Sequence, residues 1–177
     1  MIIEGYAALF GVADQMADVV RAGAFASSLA RRGEPLPMLV EHERRLHAGH
    51  WDVVREDGRG LYLRGQIRDE LPGAARARRL IARGVDGLSI GFVPIVAHRK
   101  ASGRVLEEIE LLEVSIVTHP MQPQARLTLA REFTRASLGE KREKRDQGRA
   151  CWRAGRAHAR VRGLQDRKRR APRRNRA

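Results

Sequence analysis

Cysteine is all but missing from this chain of 177 residues: Cys151 is the only one, so no intrachain disulfide can form. That economy suits a reducing compartment. Long hydrophobic runs are missing too, and nothing approaches the roughly 20 apolar residues that span a bilayer. The opening Met1-Ile2-Ile3-Glu4-Gly5 has neither the basic nor the apolar stretch of a secretory signal. These absences predict a soluble, intracellular protein without membrane contact. A glycine-rich phosphate loop of the Walker type and any internal repeat are also lacking.

Acidic residues are scarce at one end only. Residues 1–130 carry 17 Lys and Arg against 16 Asp and Glu, while residues 131–177 carry 18 against 5. The net charge of +14 therefore belongs to a basic tail, 131–177, behind a nearly neutral domain, 1–130. The tail reads as arginine, alanine and glycine with little periodic hydrophobicity. Such a segment buries too little apolar surface to offset its ordering entropy and is predicted to be disordered. It reads as an electrostatic arm for nucleic acid or an acidic scaffold surface, as a removable extension, or as an altered frame of a GC-rich gene. Its Trp152 is too little for the stacking platform that single-strand binders use.

What is present before the tail is β-rich. Ile2–Phe10 and Val19–Val20 read as strands, Gly23–Arg32 as a helix stopped by Gly33, and Leu36–His42 as extended. In that last run the two-residue period puts Met38, Val40 and His42 on one face. His50–Glu56 and Gly60–Arg68 form a hairpin around Asp57-Gly58, and Pro72–Arg83 is the best helix, closed by Gly84. Leu88–Ala97 and Val105–Thr118 are strands joined by a turn at Lys100–Gly103, and Arg126–Leu129 is a last short strand. The sum is α+β, mostly antiparallel.

Within this frame Gly87-Leu88-Ser89-Ile90-Gly91-Phe92 stands out. Each glycine weakens a strand, yet lets another backbone or a substrate approach a hydroxyl. Ser89 is thus a candidate nucleophile, against the plainer reading of a serine bonded to a neighbouring backbone group. A serine needs a base, most often histidine. His42 ends an apolar strand, a sound place for one. His47 and His50 fall in a loop-like polar stretch, His98 follows a strand, His119 ends the long strand, and His158 lies in the tail.

A third group should orient the imidazole. Glu113 is the lone charge in Leu111-Leu112-Glu113-Val114-Ser115-Ile116-Val117. Buried unpaired it would cost several kcal/mol, so it needs a partner: the imidazole or an arginine. Glu113 and Ser115 share one face, and Leu112, Val114 and Ile116 the other.

Two motif readings fail. Gly87-Leu88-Ser89-Ile90-Gly91 matches the G-x-S-x-G elbow, but that motif needs a strand before the serine and a helix after it, the reverse of this order. His42-Glu43-Arg44-Arg45-Leu46-His47 spaces its histidines five apart, not the four of a zinc-binding helix. Only a loop would gather His42, His47 and His50 round a metal.

The blocks GYAALFGV, DVVRAGAFASSL, PMLVEH, GHWDVVREDGRGLYLRGQI, GVDGLSIGF and LLEVSIVTHPMQPQA, in this order across about residues 2–130, resemble the prohead maturation proteases of tailed bacteriophages. The brevity and arginine-rich style is similar to the protease of gene transfer agents, the phage-like particles of some bacteria. The resemblance implies a herpesvirus-assemblin-like β-barrel flanked by helices, and a serine endopeptidase without cofactor or metal. It implies Ser89 as nucleophile, His42 as base and Glu113 as third member. His119 or His98 is the alternative, since assemblin-like enzymes can use a second histidine; the family commonly has an aromatic residue where His119 stands. The implied substrate is the scaffolding region of the major capsid protein, with self-cleavage besides. The implied setting is portal and prohead assembly in the bacterial cytoplasm, with a homodimer as one form. Two other classes stand beside it: a catalytically silent assembly factor that keeps the barrel, and a nucleic-acid binder working through its tail.

Overall fold

Eight strands and two short helices account for the described residues, 1–101 and 103–130 of a computed structural model. In chain order these are β1 (Ile2–Leu9), β2 (Asp18–Val20), α1 (Ala26–Arg31), β3 (Leu36–Val40), β4 (Glu43–Glu56) and β5 (Gly60–Ile67). There follow α2 (Ala74–Ala82), β6 (Gly87–Lys100), β7 (Gly103–Val117) and β8 (Arg126–Leu129). The basic tail, with Cys151, Trp152 and His158, lies outside the described residues.

Seven strands close into a barrel, in the order β7-β3-β4-β5-β1-β8-β6 and back to β7. Closure leaves no long edge within the ring, which is how small all-β architectures avoid edge-to-edge association. The pairings are antiparallel except on β7, which takes β3 in parallel at Val114–Ile116 and β2 in parallel at Arg104–Leu106. β7 is long enough to serve both because its 15 residues run past the ring. Beyond Phe92, β6 follows it as a ribbon whose residues from Val93 to Lys100 are exposed.

The core is the inward set of these strands. Ile3, Leu36, Met38, Leu61, Leu63, Leu88, Val114 and Ile116 are buried, with Trp51 and Phe25 filling the largest volumes. The Trp51 indole N–H donates to the Val114 carbonyl at 3.1 Å, which satisfies a donor that burial would otherwise strand. Alternation thus turns Leu88 inward and sends Ser89 to the other face of β6.

Most predicted elements stand within a residue or two. The helix predicted at Gly23–Arg32 is only Ala26–Arg31, since Gly23 takes φ +90° in the turn that precedes it. The polar stretch holding His47 and His50 is strand, not loop: β4 starts at Glu43 and pairs with β3. Its polar residues misled because residues 44–46 loop out of the pairing with β3, which breaks the alternation along the strand. Predicted extension through His42 also fails, because β3 stops at Val40.

Candidate active site

Glu41 and His42 follow β3 with φ of +52° and +59°, consecutive left-handed residues that are not glycine. Such conformations cost of order 1–2 kcal/mol each and persist only where surroundings hold them. β7 and its end do the holding. The Glu41 N–H donates to the Ile116 carbonyl at 3.0 Å. The Glu41 carboxylate accepts from the Thr118 N–H and hydroxyl, both at 2.9 Å. The His42 N–H donates to Ser115 Oγ at 3.1 Å. The turn rotates His42 off the face of Met38 and Val40. The two-residue period would have driven the imidazole into the core; the turn instead leaves its side chain 43% exposed.

The imidazole meets Glu113. Nδ1 donates to Glu113 Oε1 at 2.6 Å, and Ser115 Oγ donates to Oε2 of the same carboxylate at 2.7 Å. A carboxylate only accepts, so the proton sits on Nδ1 and Nε2 keeps its lone pair. The hydrogen bond to Glu113 raises the imidazole pKa above its ordinary value, burial works against it, and the charges of Glu113 and Glu41 add to the rise. Of the two partners expected for Glu113, the structure gives the imidazole and, among the described residues, no arginine.

β6 faces this pair across the sheet. In the register with β7, Ser89 stands directly opposite Ser115, and Gly91 opposite Glu113. Directly opposed residues carry their Cβ atoms about 5 Å apart. The hydroxyl of Ser89 is therefore next to the serine that anchors the His42 backbone. Ser89 is 3% exposed and, among the described residues, its hydroxyl has no hydrogen-bond partner. The plainer reading, a serine satisfied by a neighbouring backbone group, does not hold.

Gly91 was expected to leave the face of β6 open. The structure fills that space: a Cβ at Gly91 would lie 2.1 Å from Glu113 Oε1 and 2.8 Å from its Cδ. The glycine is the seat of the carboxylate. Leu112 also departs from expectation. Gly91 pairs with Glu113 and Phe92 with Leu111, so Leu112 bulges out at 45% exposure and Leu111 takes the buried place. Bulges beside a site re-aim side chains in this way.

Two hollows border β6. A cleft of about 690 Å³ is lined by His42, Glu113, Gly91, Arg44, His47 and Leu112 among others. A smaller cavity of about 210 Å³ includes Ser89, Leu88, Ile90, Ala7, Val20 and Leu106 in its walls. Ser89 thus lines the smaller cavity, whose walls also carry Asp14, Asp18 and Arg104, while His42 and Glu113 line the cleft.

The other histidines are elsewhere. His98 pairs with Glu107 at 3.2 Å on the projecting ribbon. His119 is exposed in the turn after β7 and has no hydrogen bond among the described residues. His47 and His50 pack edge to face with ring centroids 4.6 Å apart. Among the described residues no three His, Cys, Asp or Glu converge as a metal site, so His42, His47 and His50 are not gathered round one. Sequence reasoning missed the parts of Ser115 and Glu41. The shared face of Glu113 and Ser115 was the one available signal.

The family model described as caudovirus prohead serine protease matches residues 1–138. The prohead protease of Enterobacteria phage HK97 is 36% identical over 129 residues, 70% of this chain and 57% of that protein. The chain thus spans little more than half the length of that relative. Among solved structures, the bacteriophage T4 capsid assembly protease superposes with a TM-score of 0.55 at 15% identity, over 66% of this chain and 80% of that one. The protease of Kaposi's sarcoma-associated herpesvirus, solved with a hexapeptide phosphonate inhibitor, gives 0.54 at 14% identity, over 74% and 65%. These two establish the assemblin-like barrel, and the matched family model, covering most of the residues, places the chain among the caudovirus prohead serine proteases.

Proposed function

We propose that this chain is a serine endopeptidase that cleaves the scaffolding region of a phage-type major capsid protein inside the assembling prohead, and cleaves itself as well. One observation carries the catalytic part. A run of hydrogen bonds links Glu113 to the imidazole of His42 and to Ser115, and Ser115 lies directly across the sheet from the unbonded hydroxyl of Ser89. Membership of the prohead protease family carries the choice of substrate.

In this reading Ser89 Oγ attacks the scissile carbonyl carbon while its proton passes to Nε2 of His42. The C–N bond then breaks and the same proton leaves on the departing amine. Water attacks the acyl-enzyme next, His42 takes its proton, and Ser89 recovers it as the acid product departs. Glu113 fixes the tautomer throughout and stabilises the imidazolium. The contact between Ser89 Oγ and Nε2 forms with substrate bound, as the hydrogen bonds of such sites commonly tighten only then.

The experiment is a fluorophosphonate probe together with the cognate capsid precursor. The wild-type chain should label at Ser89 and cut the precursor; Ser89→Ala should do neither while keeping its fold. An unlabelled wild-type chain that cuts nothing supports a silent assembly factor instead. In the same reading the basic segment from Arg131 is an electrostatic arm for nucleic acid. Salt-dependent binding that disappears on truncation after Ala130 is its test.

A further inference from the structure

The cleft beside His42 carries one cation, Arg44, without a partner among the described residues. Of its lining side chains only Glu113 is acidic, and both its oxygens are taken by His42 and Ser115. Arg44 lines the same cleft, is exposed, and has no hydrogen bond or ion pair among the described residues. His47 also lines it, with an Nε2 that is buried and lacks a hydrogen-bond partner among the described residues.

The backbone delivers Arg44 there by an irregularity. Leu39 pairs with His47 and Val40 with Glu43, so residues 44, 45 and 46 have no partner on β3 and loop out of the ladder. A bulge this wide breaks a strand next to the base, and bulges near sites serve to re-aim side chains. The planar guanidinium of arginine matches a carboxylate in two-point geometry.

The direction of the peptide follows from the proposed chemistry, on which this inference rests. The imidazole hands its proton to the leaving amine, so the substrate residues after the scissile bond must pass over His42. That path enters the cleft. We infer that Arg44, with His47 beside it, forms a subsite for an acidic side chain on the leaving-group side of the scissile bond. The substrate class is a peptide with Asp or Glu within a few residues after the cut. The apolar lining from Pro37, Leu39, Phe92 and Leu112 holds the rest of that segment.

The test digests a proteome-derived peptide library with the full chain and reads the cut sites by mass spectrometry. Acidic residues should be enriched after the cut. Arg44→Gln should remove the enrichment and lower kcat/KM for acidic peptides about tenfold, the worth of one charge-assisted contact. Arg44→Glu should replace the acidic preference by a preference for Lys or Arg after the cut. Thermal melting of both variants checks folding. An unchanged profile in the variants overturns the subsite. So does a wild-type profile without acidic enrichment, or a chain whose Ser89 labels but which cuts none of the acidic peptides. Loss of Ser89 labelling in the wild-type chain instead sinks the hydrolase reading beneath it.

Discussion

Ser115 donates its hydroxyl proton to one oxygen of Glu113 at 2.7 Å while the other oxygen of that carboxylate takes the imidazole of His42. The same Ser115 oxygen accepts the backbone N–H of His42 at 3.1 Å. One fully buried hydroxyl therefore sets both the carboxylate and the turn that carries His42.

Ser115→Ala should uncouple them. A part-buried N–H loses its acceptor, which costs about 1–2 kcal/mol of stability, measurable as a lower urea midpoint. Peptidase kcat should fall tenfold or more, with KM little changed. Wild-type kcat in a folded Ser115→Ala chain contradicts this assignment.

Two glycines of one motif should respond in opposite ways. The three atoms nearest a Cβ at Gly91 all belong to the Glu113 side chain, which can swing aside. Gly91→Ala should therefore melt near the wild-type temperature yet lose about 100-fold in kcat, the scale of a misplaced catalytic group. At Gly87 a Cβ would lie 2.5 Å from the Val117 carbonyl oxygen and 2.9 Å from the Pro120 ring. Neither can yield without moving backbone, so Gly87→Ala should cost about 1–3 kcal/mol of stability. Calorimetry and kinetics on the pair separate the two roles.

The acid limb of the pH profile should report His42. In the proposed mechanism its neutral form is the base, so kcat/KM should fall as pH drops through a pKa held above the ordinary imidazole value by Glu113. Glu113→Gln removes the main raising contact, so the limb should move to lower pH while the plateau drops. Stability has the opposite sense. A raised folded-state pKa adds stability below the ordinary value, and that contribution is lost as pH rises through the folded value. Urea midpoints of wild type and Glu113→Gln should therefore converge as the solution becomes alkaline. A limb that stays in place in Glu113→Gln would separate Glu113 from the base.

Neighbouring residues on β6 should divide stability from activity. Leu88 is fully buried in the core, so Leu88→Ala should cost about 2–5 kcal/mol. Ser89 is nearly buried with an unbonded hydroxyl, so Ser89→Ala should leave the urea midpoint unchanged or slightly raised. A marked loss of stability in Ser89→Ala would mean that the hydroxyl is structural.

Most strands and both helices were legible in the sequence to within a few residues, the start of β4 excepted. Local signals carried them: Asp57-Gly58 at a hairpin, Gly84 at φ +85° after α2, and alternation along β5. The sequence also singled out Ser89, His42 and Glu113, because a serine between glycines and a lone carboxylate in an apolar strand are local oddities. Their meeting was not legible there. His42 is 71 positions from Glu113 and 73 from Ser115. Only the parallel pairing of β3 on β7 brings that turn over the carboxylate. The tertiary structure alone decided the left-handed turn at Glu41 and His42, the bulges at Arg44 and Leu112, and the use of Gly91 as a seat. Each depends on the register between strands far apart in the chain, and a shift of one residue in that register turns a side chain to the opposite face.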